Sequence, residues 1–167
     1  MTTLYHITDT LAIMPKPQSG ELLRGEIEAL RNAGVDVLVS LLGNDEIPML
    51  GLDKEEAICI ANDITFLHFP VKDFSVPADM DQARMLVEKL HAFSGEGKKI
   101  VIHCRGGIGR SSLMASALLM RGGNTPAECI EKISNSRGHT VPETAEQRAW
   151  IENFHATLHA HKPSSER

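Results

Sequence analysis

The segment His103–Ser111 holds the residues of this chain that are best suited to chemistry. It follows the apolar run 100–102 and precedes the mostly apolar stretch 112–120, so a strand should carry Cys104 into a glycine-rich loop that begins a helix. Such a loop directs backbone N–H groups, the positive end of the helix dipole and the guanidinium of Arg110 at one point. That point suits a phosphate-like dianion, and it favours the thiolate, which is the nucleophilic form of cysteine.

The other fixed residues of this segment also have physical reasons. Gly106, Gly107 and Gly109 put no side chains in the way of an oxyanion, and glycine tolerates the φ values of a tight loop. Arg110 can hold two phosphoryl oxygens at once with its planar fork, which lysine cannot match. A cysteine, five residues, an arginine and a serine resemble the signature of the protein tyrosine phosphatase superfamily at every fixed position.

This resemblance assigns roles that the residue types alone do not. It implies that Cys104 is the nucleophile, that Arg110 binds the phosphoryl oxygens, and that Ser111 hydrogen-bonds the sulfur and eases its departure from a phospho-enzyme. His103 resembles the family histidine that orders the loop behind the sulfur without touching substrate. The residues implied to surround the phosphoryl group are Arg105, Gly106, Gly107, Ile108 and Gly109.

Other interpretations of a glycine-rich loop fit less well. The loop that binds nucleoside triphosphates needs a lysine where Arg110 stands. Residues 107–112 mimic a dinucleotide fingerprint, but the acids about 20 positions on, Glu128 and Glu131, fall in a helical pattern rather than at a strand end. A plain strand-to-helix turn explains the glycines but not the pairing of cysteine with arginine.

Cleavage of a phosphate monoester also needs a proton for the leaving oxygen, and the segment 69–82 offers three aspartates. Asp79 with Gln82 has the spacing of a capping box, and Asp81 would lie in the first helical turn, where negative charge is favoured. Asp73 has no such structural explanation. It resembles the general acid of the superfamily, about 31 residues before the cysteine as in small dual-specificity phosphatases. The alternative, a solvated loop aspartate, stays open.

The segment 137–147 resembles the family's C-terminal loop that closes the site. Related enzymes use a polar residue here to place the hydrolytic water, which makes Gln147 a candidate supporting residue. Thr144 and Gln147 also have capping-box spacing, so Gln147 could instead only cap its own helix. Glu143 and Arg137 are weaker candidates.

Composition limits the class of protein. The chain has 167 residues, 42% of them hydrophobic, and a formal net charge of −5, which fits one domain with an ample core and gives no reason to expect nucleic acid as a partner. No apolar stretch approaches the roughly 18 residues of a membrane span, and the N-terminus lacks a signal-peptide pattern. Three cysteines are no disulfide framework, so we expect a cytoplasmic protein with Cys59 and Cys129 in its core.

The elements that must position the loop alternate along the chain. Strands are predicted near residues 5–13, 35–42, 64–69 and 99–102, and helices near 21–33, 54–61, 80–95, 112–121, 125–137 and 145–158. This order predicts an α/β fold with a mostly parallel central sheet flanked by helices. We expect one catalytic domain over residues 1–160 and a polar tail over 161–167. Residues 35–155 resemble a compact dual-specificity phosphatase, and the N-terminal helix and residues 69–73 resemble the cyclin-dependent-kinase-inhibitor-type branch and its bacterial relatives.

The resemblance implies a cysteine-dependent phosphomonoesterase that acts on phosphotyrosine, and on phosphoserine and phosphothreonine, in proteins, through a phosphocysteine intermediate. A phosphoinositide or other non-protein phosphate is the alternative substrate, and a non-catalytic phosphate-binding module is the alternative class. We expect a monomer with no cofactor, no metal and no membrane insertion. His155, His159 and His161 invite a metal site, but no carboxylate or cysteine completes the set.

Overall fold

A five-stranded sheet organises the computed structural model, which describes residues 2–160, so the tail predicted for 161–167 lies outside the described residues. The strand order is β1-β2-β5-β3-β4. All neighbours run parallel except β1 and β2, which form an antiparallel hairpin. The strands are β1 Tyr5–His6, β2 Leu11–Met14, β3 Val35–Ser40, β4 Thr65–His68 and β5 Lys99–His103.

The three inner strands are buried on both faces, as their continuous apolar sequences predict. Successive side chains of a strand point to opposite faces, so Leu11 and Ile13 of β2 enter one core while Ala12 and Met14 enter the other. The prediction of an α/β fold with a mostly parallel sheet is confirmed. The single strand expected near residues 5–13 is instead the β1–β2 hairpin.

Helices cover both faces of the sheet. The larger core packs α4, α5, α6 and α7 on one face, and the smaller core packs α1 and α3 on the other. The helices are α1 Leu22–Asn32, α2 Glu46–Met49, α3 Glu55–Ala61, α4 Met80–Gly95, α5 Gly109–Arg121, α6 Pro126–Arg137 and α7 Ala145–Ala160. The short α2 was not predicted, because its apolar pattern covers barely one turn.

Cys59 and Cys129 belong to these cores, as expected. Cys129 lies in the larger core and Cys59 in the smaller one, and both are fully buried. Burial disfavours the thiolate and raises the pKa of each to about 12. Neither side chain is a nucleophile near neutral pH.

The order of the strands places one carboxyl end at the centre of the molecule. Because β5 lies between β2 and β3, its last residue, His103, pairs with Met14 on one side and Ser40 on the other. Parallel sheets bind ligands beyond the carboxyl ends of their strands. No helix within residues 2–160 combines the length and apolarity needed to cross a bilayer.

Candidate active site

Cys104 lies at the bottom of a loop that leaves β5 and begins α5. Its side chain is nearly fully buried, and the backbone N–H of Gly107 donates a hydrogen bond to the sulfur at 3.3 Å. Ser111 Oγ lies 3.4 Å from the same sulfur. One N–H and one hydroxyl thus face the atom that the sequence predicts to be the nucleophile.

Glycine is required at one position of this loop and only tolerated at another. Gly107 has φ +71°, and a Cβ there would lie 2.6 Å from Pro15 N and 2.7 Å from Met14 C. A Cβ on Gly106 would meet nothing within 4 Å. The loop can therefore press against the end of β2 only because residue 107 has no side chain.

The start of α5 leaves its backbone N–H groups unused by side chains. Within residues 2–160, no side chain caps the helix at Ile108, and its first turn contains no acidic residue. The first turn is nevertheless buried, from Gly109 to Ser112. Uncapped N–H groups at a helix start are a ready site for an anion.

Two residues outside the loop hold its far side. Arg137, at the end of α6, donates from Nε to the carbonyl of Gly107 at 3.0 Å and from Nη2 to the carbonyl of Gly106 at 3.2 Å. Its guanidinium also lies over the ring of Tyr5, 4.2 Å from the ring centroid. The exposed Arg105 is tied by its carbonyl, which accepts from Lys16 N at 3.1 Å. Carbonyls held on the outside leave the N–H groups of the loop turned inward.

The guanidinium of Arg110 is buried among acceptors. Glu46 of α2 binds it with both oxygens, Oε1 to Nη1 at 2.6 Å and Oε2 to Nη2 at 3.1 Å. The carbonyl of Val71 accepts from Nη1 at 2.9 Å, and Asp73 Oδ1 lies 3.1 Å from Nη2. Burial disfavours the charge, but the hydrogen bonds and charge of Glu46, together with the charges of Cys104 and Asp73, outweigh it and raise the pKa of Arg110.

The carboxylate of Glu46 is held in its charged form by the same contacts. Burial works against the charge, while Arg110 and the N–H of Gly43, 2.8 Å from Oε1, keep the pKa of Glu46 below its usual range. A bidentate carboxylate on a buried arginine fixes the plane of the guanidinium. Glu46 therefore sets the direction in which Arg110 can present its remaining N–H groups.

His103 forms a second buried polar pair, with Glu55, next to Cys104 in the chain. Its Nε2 lies 2.7 Å from Glu55 Oε2, and its Nδ1 lies 3.0 Å from the carbonyl of Cys104. Neither Glu55 nor His103 is accessible to solvent to any useful extent. The polar contacts of His103 are with Glu55 and the backbone of the loop, and its role in ordering the loop stays a prediction.

The three aspartates of the segment 69–82 separate in space. Asp79 accepts from the N–H groups of Asp81 and Gln82 at 2.8 and 3.1 Å, so it caps α4 as predicted. Asp73 alone reaches the site, where it meets Arg110. Its Oδ1 also accepts from the N–H of Phe74 at 3.0 Å, and that exposed aromatic residue has φ +59°.

Gln147 both caps its helix and joins two loops. Thr144 Oγ1 accepts from Gln147 N at 3.1 Å, and Gln147 Oε1 accepts from Thr144 N at 3.3 Å, which is the predicted capping box. Its Nε2 donates to the carbonyl of Ser75 at 3.1 Å, so the buried side chain also anchors the loop that carries Asp73. A Cβ on Gly109 would lie 3.0 Å from the same Nε2. Gln147 therefore does more than cap its own helix, and its role in placing the hydrolytic water stays a prediction.

Sequence reasoning missed Glu46 and Glu55. Both lie in first turns of short helices, where an acid has an ordinary structural reason. The local sequence carried no signal, since Glu55 stands between Lys54 and Glu56 and Glu46 follows Asp45. Of the three histidines considered for metal, His155 and His159 approach to 3.1 Å between Nε2 atoms on α7, and His161 lies outside the described residues.

The comparisons with known proteins agree with this geometry. A family model described as "Polymorphic toxin system, DSP-PTPase phosphatase" matches residues 12–124, which include most of β2, the strands β3 to β5, the loop that carries Cys104, and α5. The chain belongs to this phosphatase family. The predicted membership in the protein tyrosine phosphatase superfamily, among compact dual-specificity phosphatases, is confirmed.

Individual phosphatases of known sequence or structure show how far the likeness extends. Cyclin-dependent kinase inhibitor 3 from Sus scrofa is 33% identical over 101 residues, which are 59% of this chain and 47% of that protein. The chain thus spans about half the length of curated relatives such as this one. The crystal structure of Tk-PTP in its active form is 27% identical with a TM-score of 0.76, covering 92% of this chain and 96% of that one.

A third similar protein shows the fold alone. The crystal structure of PTPMT1 in complex with PI(5)P has a TM-score of 0.78 at 20% identity, covering 94% of this chain and 97% of the other. The phosphatase fold of this chain therefore accommodates, in another protein, a phosphoinositide ligand.

Proposed function

We propose that this chain is a cysteine-dependent phosphatase that removes phosphoryl groups from phosphotyrosine, phosphoserine and phosphothreonine in proteins. The observation that carries the proposal is the convergence of three groups: the Cys104 sulfur in its cradle, the Arg110 guanidinium beside it, and the Asp73 carboxyl 3.1 Å from that guanidinium. Membership in a phosphatase family supports it. A phosphorylated protein as substrate is in keeping with the kinase named in the pig relative.

The reaction begins when a phosphoryl group replaces one carboxylate on Arg110. Both of its terminal nitrogens are engaged by protein carboxylates, Nη1 and Nη2 by Glu46 and Nη2 by Asp73. Glu46 is buried, whereas the Asp73 side chain is about one-third exposed and lies in a loop. An incoming phosphoryl group would therefore displace Asp73 from Nη2 and leave Glu46 in place.

Attack and proton transfer follow from that exchange. The Cys104 thiolate attacks phosphorus in line, while Arg110 and the N–H groups of residues 105–110 hold the equatorial oxygens. Asp73 in its protonated form donates to the leaving oxygen and later accepts a proton from the water that breaks the phosphocysteine. Ser111 hydrogen-bonds the departing sulfur, and Gln147 helps to hold the loop of Asp73 through Ser75.

Two substitutions test these roles. Cys104→Ser should abolish hydrolysis of aryl phosphates. Asp73→Asn should lower kcat by about 100-fold on a phenyl or alkyl phosphate, whose leaving group needs a proton, and much less on an aryl phosphate with an acidic phenol. Asp79→Asn is the matched control, because that residue caps α4 and does not reach the site. Wild-type kcat for Asp73→Asn on a poor leaving group would refute the assignment of the acid.

A phosphoinositide or other non-protein phosphate is the second candidate substrate. Two observations favour it: the exposed Arg105 adds one base to the loop, and a protein of this fold holds PI(5)P. Rates on a panel of phosphopeptides and on inositol phosphates distinguish the two. If Arg105→Gln lowers kcat/KM for inositol phosphates and spares phosphopeptides, the loop is built for the polyanion.

A further inference from the structure

The buried pair formed by Glu55 and His103 has consequences beyond packing. The two side chains are 3% and 0% exposed, and their polar atoms are 2.7 Å apart. A buried carboxylate in such a place carries a heavy desolvation cost unless it meets a cation. Glu55 is therefore either charged and paired with an imidazolium, or neutral and paired with a neutral ring.

Hydrogen-bond geometry at the other ring nitrogen locates one proton. Nδ1 lies 3.0 Å from the carbonyl oxygen of Cys104, which can only accept, so Nδ1 carries a proton. The proton shared between Nε2 and Glu55 then decides the charge: on Nε2 it makes the ring a cation, and on Glu55 it leaves both groups neutral. Burial opposes that cation, and so does the nearby charge of Arg110, but the charge and hydrogen bond of Glu55 outweigh both and raise the pKa of His103.

The position of this cation relative to the sulfur gives it a role. His103 immediately precedes Cys104, and its Nδ1–H polarises the carbonyl of the nucleophile's own residue. We propose that Glu55 is a positioning residue that keeps His103 in the imidazolium form and thereby stabilises the Cys104 thiolate. The inference rests on the proposed function, since it assumes that the sulfur anion is the working species.

The two missed glutamates then form a pattern. Glu46 at the start of α2 pairs with Arg110, which ends the loop, and Glu55 at the start of α3 pairs with His103, which begins it. One segment, residues 43–61, thus supplies a buried carboxylate to the cation on each side of the nucleophile. Glu55 acts on the sulfur through His103 and does not contact substrate.

The chain offers a matched pair of variants for the test. Glu55→Gln removes the charge with little change of shape, and Glu56→Gln makes the same change on the adjacent, exposed residue of α3. Nitrogen-15 NMR of the imidazole rings, with the His103 signals assigned by their loss in His103→Asn, reports the protonation of the ring directly. We expect a doubly protonated ring at pH 7 in the wild type and Glu56→Gln, and a singly protonated ring in Glu55→Gln.

A second measurement follows the sulfur without any turnover. The rate at which iodoacetamide alkylates Cys104 is measured from pH 4 to 10, with orthovanadate protection identifying the active-site thiol. In Glu55→Gln the midpoint of this curve should move up by about one pH unit relative to the wild type, and in Glu56→Gln it should not move. The acidic limb of kcat/KM for an activated aryl phosphate should move with it.

Each outcome bears on one claim. A singly protonated His103 in the wild type overturns the inference, and so does an unchanged alkylation midpoint in Glu55→Gln. The wild-type NMR measurement decides the matter even if Glu55→Gln fails to fold. Failure of the proposed function looks different: hydrolysis would survive in Cys104→Ser, or vanadate would leave the alkylation of the wild type unchanged, whatever the state of His103.

Discussion

The helices α5 and α6 follow one another along the chain and begin in opposite ways. At α6, Thr125 Oγ1 accepts from Glu128 N at 3.2 Å, Glu128 Oε1 accepts from Thr125 N at 2.8 Å, and Pro126 follows the cap. At α5, the corresponding places hold Ile108, Gly109 and Ser111, and within the described chain no side chain caps the helix. The start of α6 satisfies its N–H groups with its own residues, whereas the start of α5 leaves its N–H groups available for another partner.

The difference between the two helix starts separates one that serves stability, at α6, from one that serves function, at α5. A capping box typically contributes about 1 kcal/mol to a helix by satisfying end N–H groups. The start of α5 forgoes that contribution although it is buried, and its neighbourhood contains Cys104 and Arg110 instead. Buried N–H groups without a protein partner are costly, so a bound oxyanion is the partner that we expect there.

Alanine at Gly107 should disrupt the uncapped start most strongly. The new Cβ would lie 2.6 Å from Pro15 N, a backbone atom that cannot swing aside, at a φ of +71° that alanine disfavours. We expect kcat/KM for an aryl phosphate to fall by about 100-fold or more, because the N–H groups of the loop lose their common focus. Initial rates measure it, and Gly106→Ala, with open space at its Cβ, serves as the control. Equal losses in both variants would contradict this account of the loop.

Removing the carboxylate of Glu46 should be the next largest effect. Glu46→Gln leaves a buried guanidinium short of a counter-charge, which costs about 3 kcal/mol in comparable pairs, and kcat/KM should drop about tenfold as Arg110 loses its orientation. Urea unfolding and initial rates at pH 7 measure the two effects. Glu28→Gln, on the exposed face of α1, controls for loss of a glutamate charge.

The ion pair of Glu46 with Arg110 predicts how the free energy of unfolding depends on pH. The pKa of Glu46 is lower in the folded protein than its ordinary value of 4.5, so its contribution is complete above that value and is lost as the pH falls through the folded pKa. Unfolding free energies between pH 3 and 7 should therefore converge for the wild type and Glu46→Gln at the acid end. A difference that stays constant over this range would show that the pair contributes through shape alone.

An oxyanion should stabilise the protein through α5 and not through α6. Vanadate at 100 times its Kd would add about 2.7 kcal/mol to the free energy of unfolding, if it binds only the folded chain. Thermal melts with and without vanadate measure the gain. The gain should be the same in Thr125→Ala and absent in Arg110→Ala. An unchanged gain in Arg110→Ala would place the anion elsewhere.

The smallest effect should follow from breaking the capped start. Thr125→Ala removes one half of the capping box and should cost about 1 kcal/mol of stability, with kcat and KM unchanged, because no residue of that cap reaches the phosphate-binding loop. Urea unfolding and steady-state rates measure both quantities. A loss of activity larger than the loss of stability would mean that α6 influences the loop, through Arg137.

Most of the fold and the loop could be predicted from the sequence because local patterns agreed with the tertiary structure. The sequence of Val35–Ser40 predicts a buried strand, and Thr125 with Glu128 predicts a helix start. The structure has β3 and the start of α6 at these positions. Asp73 is singled out because Asp79 and Asp81 have structural reasons at the start of α4 and because it resembles the superfamily's general acid, and the structure puts it beside Arg110. Most helix bounds differ by only a residue or two, as expected where end turns fray, whereas α5 begins three residues before its predicted start.

What the sequence could not supply are contacts between distant segments. Glu46 and Glu55 are 64 and 48 positions from their partners Arg110 and His103, and an acid in the first turn of a helix already has a local explanation. The contact of Arg137 with the carbonyls of the loop depends likewise on how α6 docks. Such pairings are decided by packing, which no local pattern encodes.

The high pKa values of Cys59 and Cys129 have a practical consequence. Because Cys59 and Cys129 hold their protons up to about pH 12, a neutral-pH electrophile should attach to each molecule once, at the third sulfur. Intact-mass spectrometry would then count competent molecules in a preparation, as the fraction that gains a single adduct. Specific activity could be expressed per labelled molecule rather than per milligram, which separates a damaged sample from a slow enzyme.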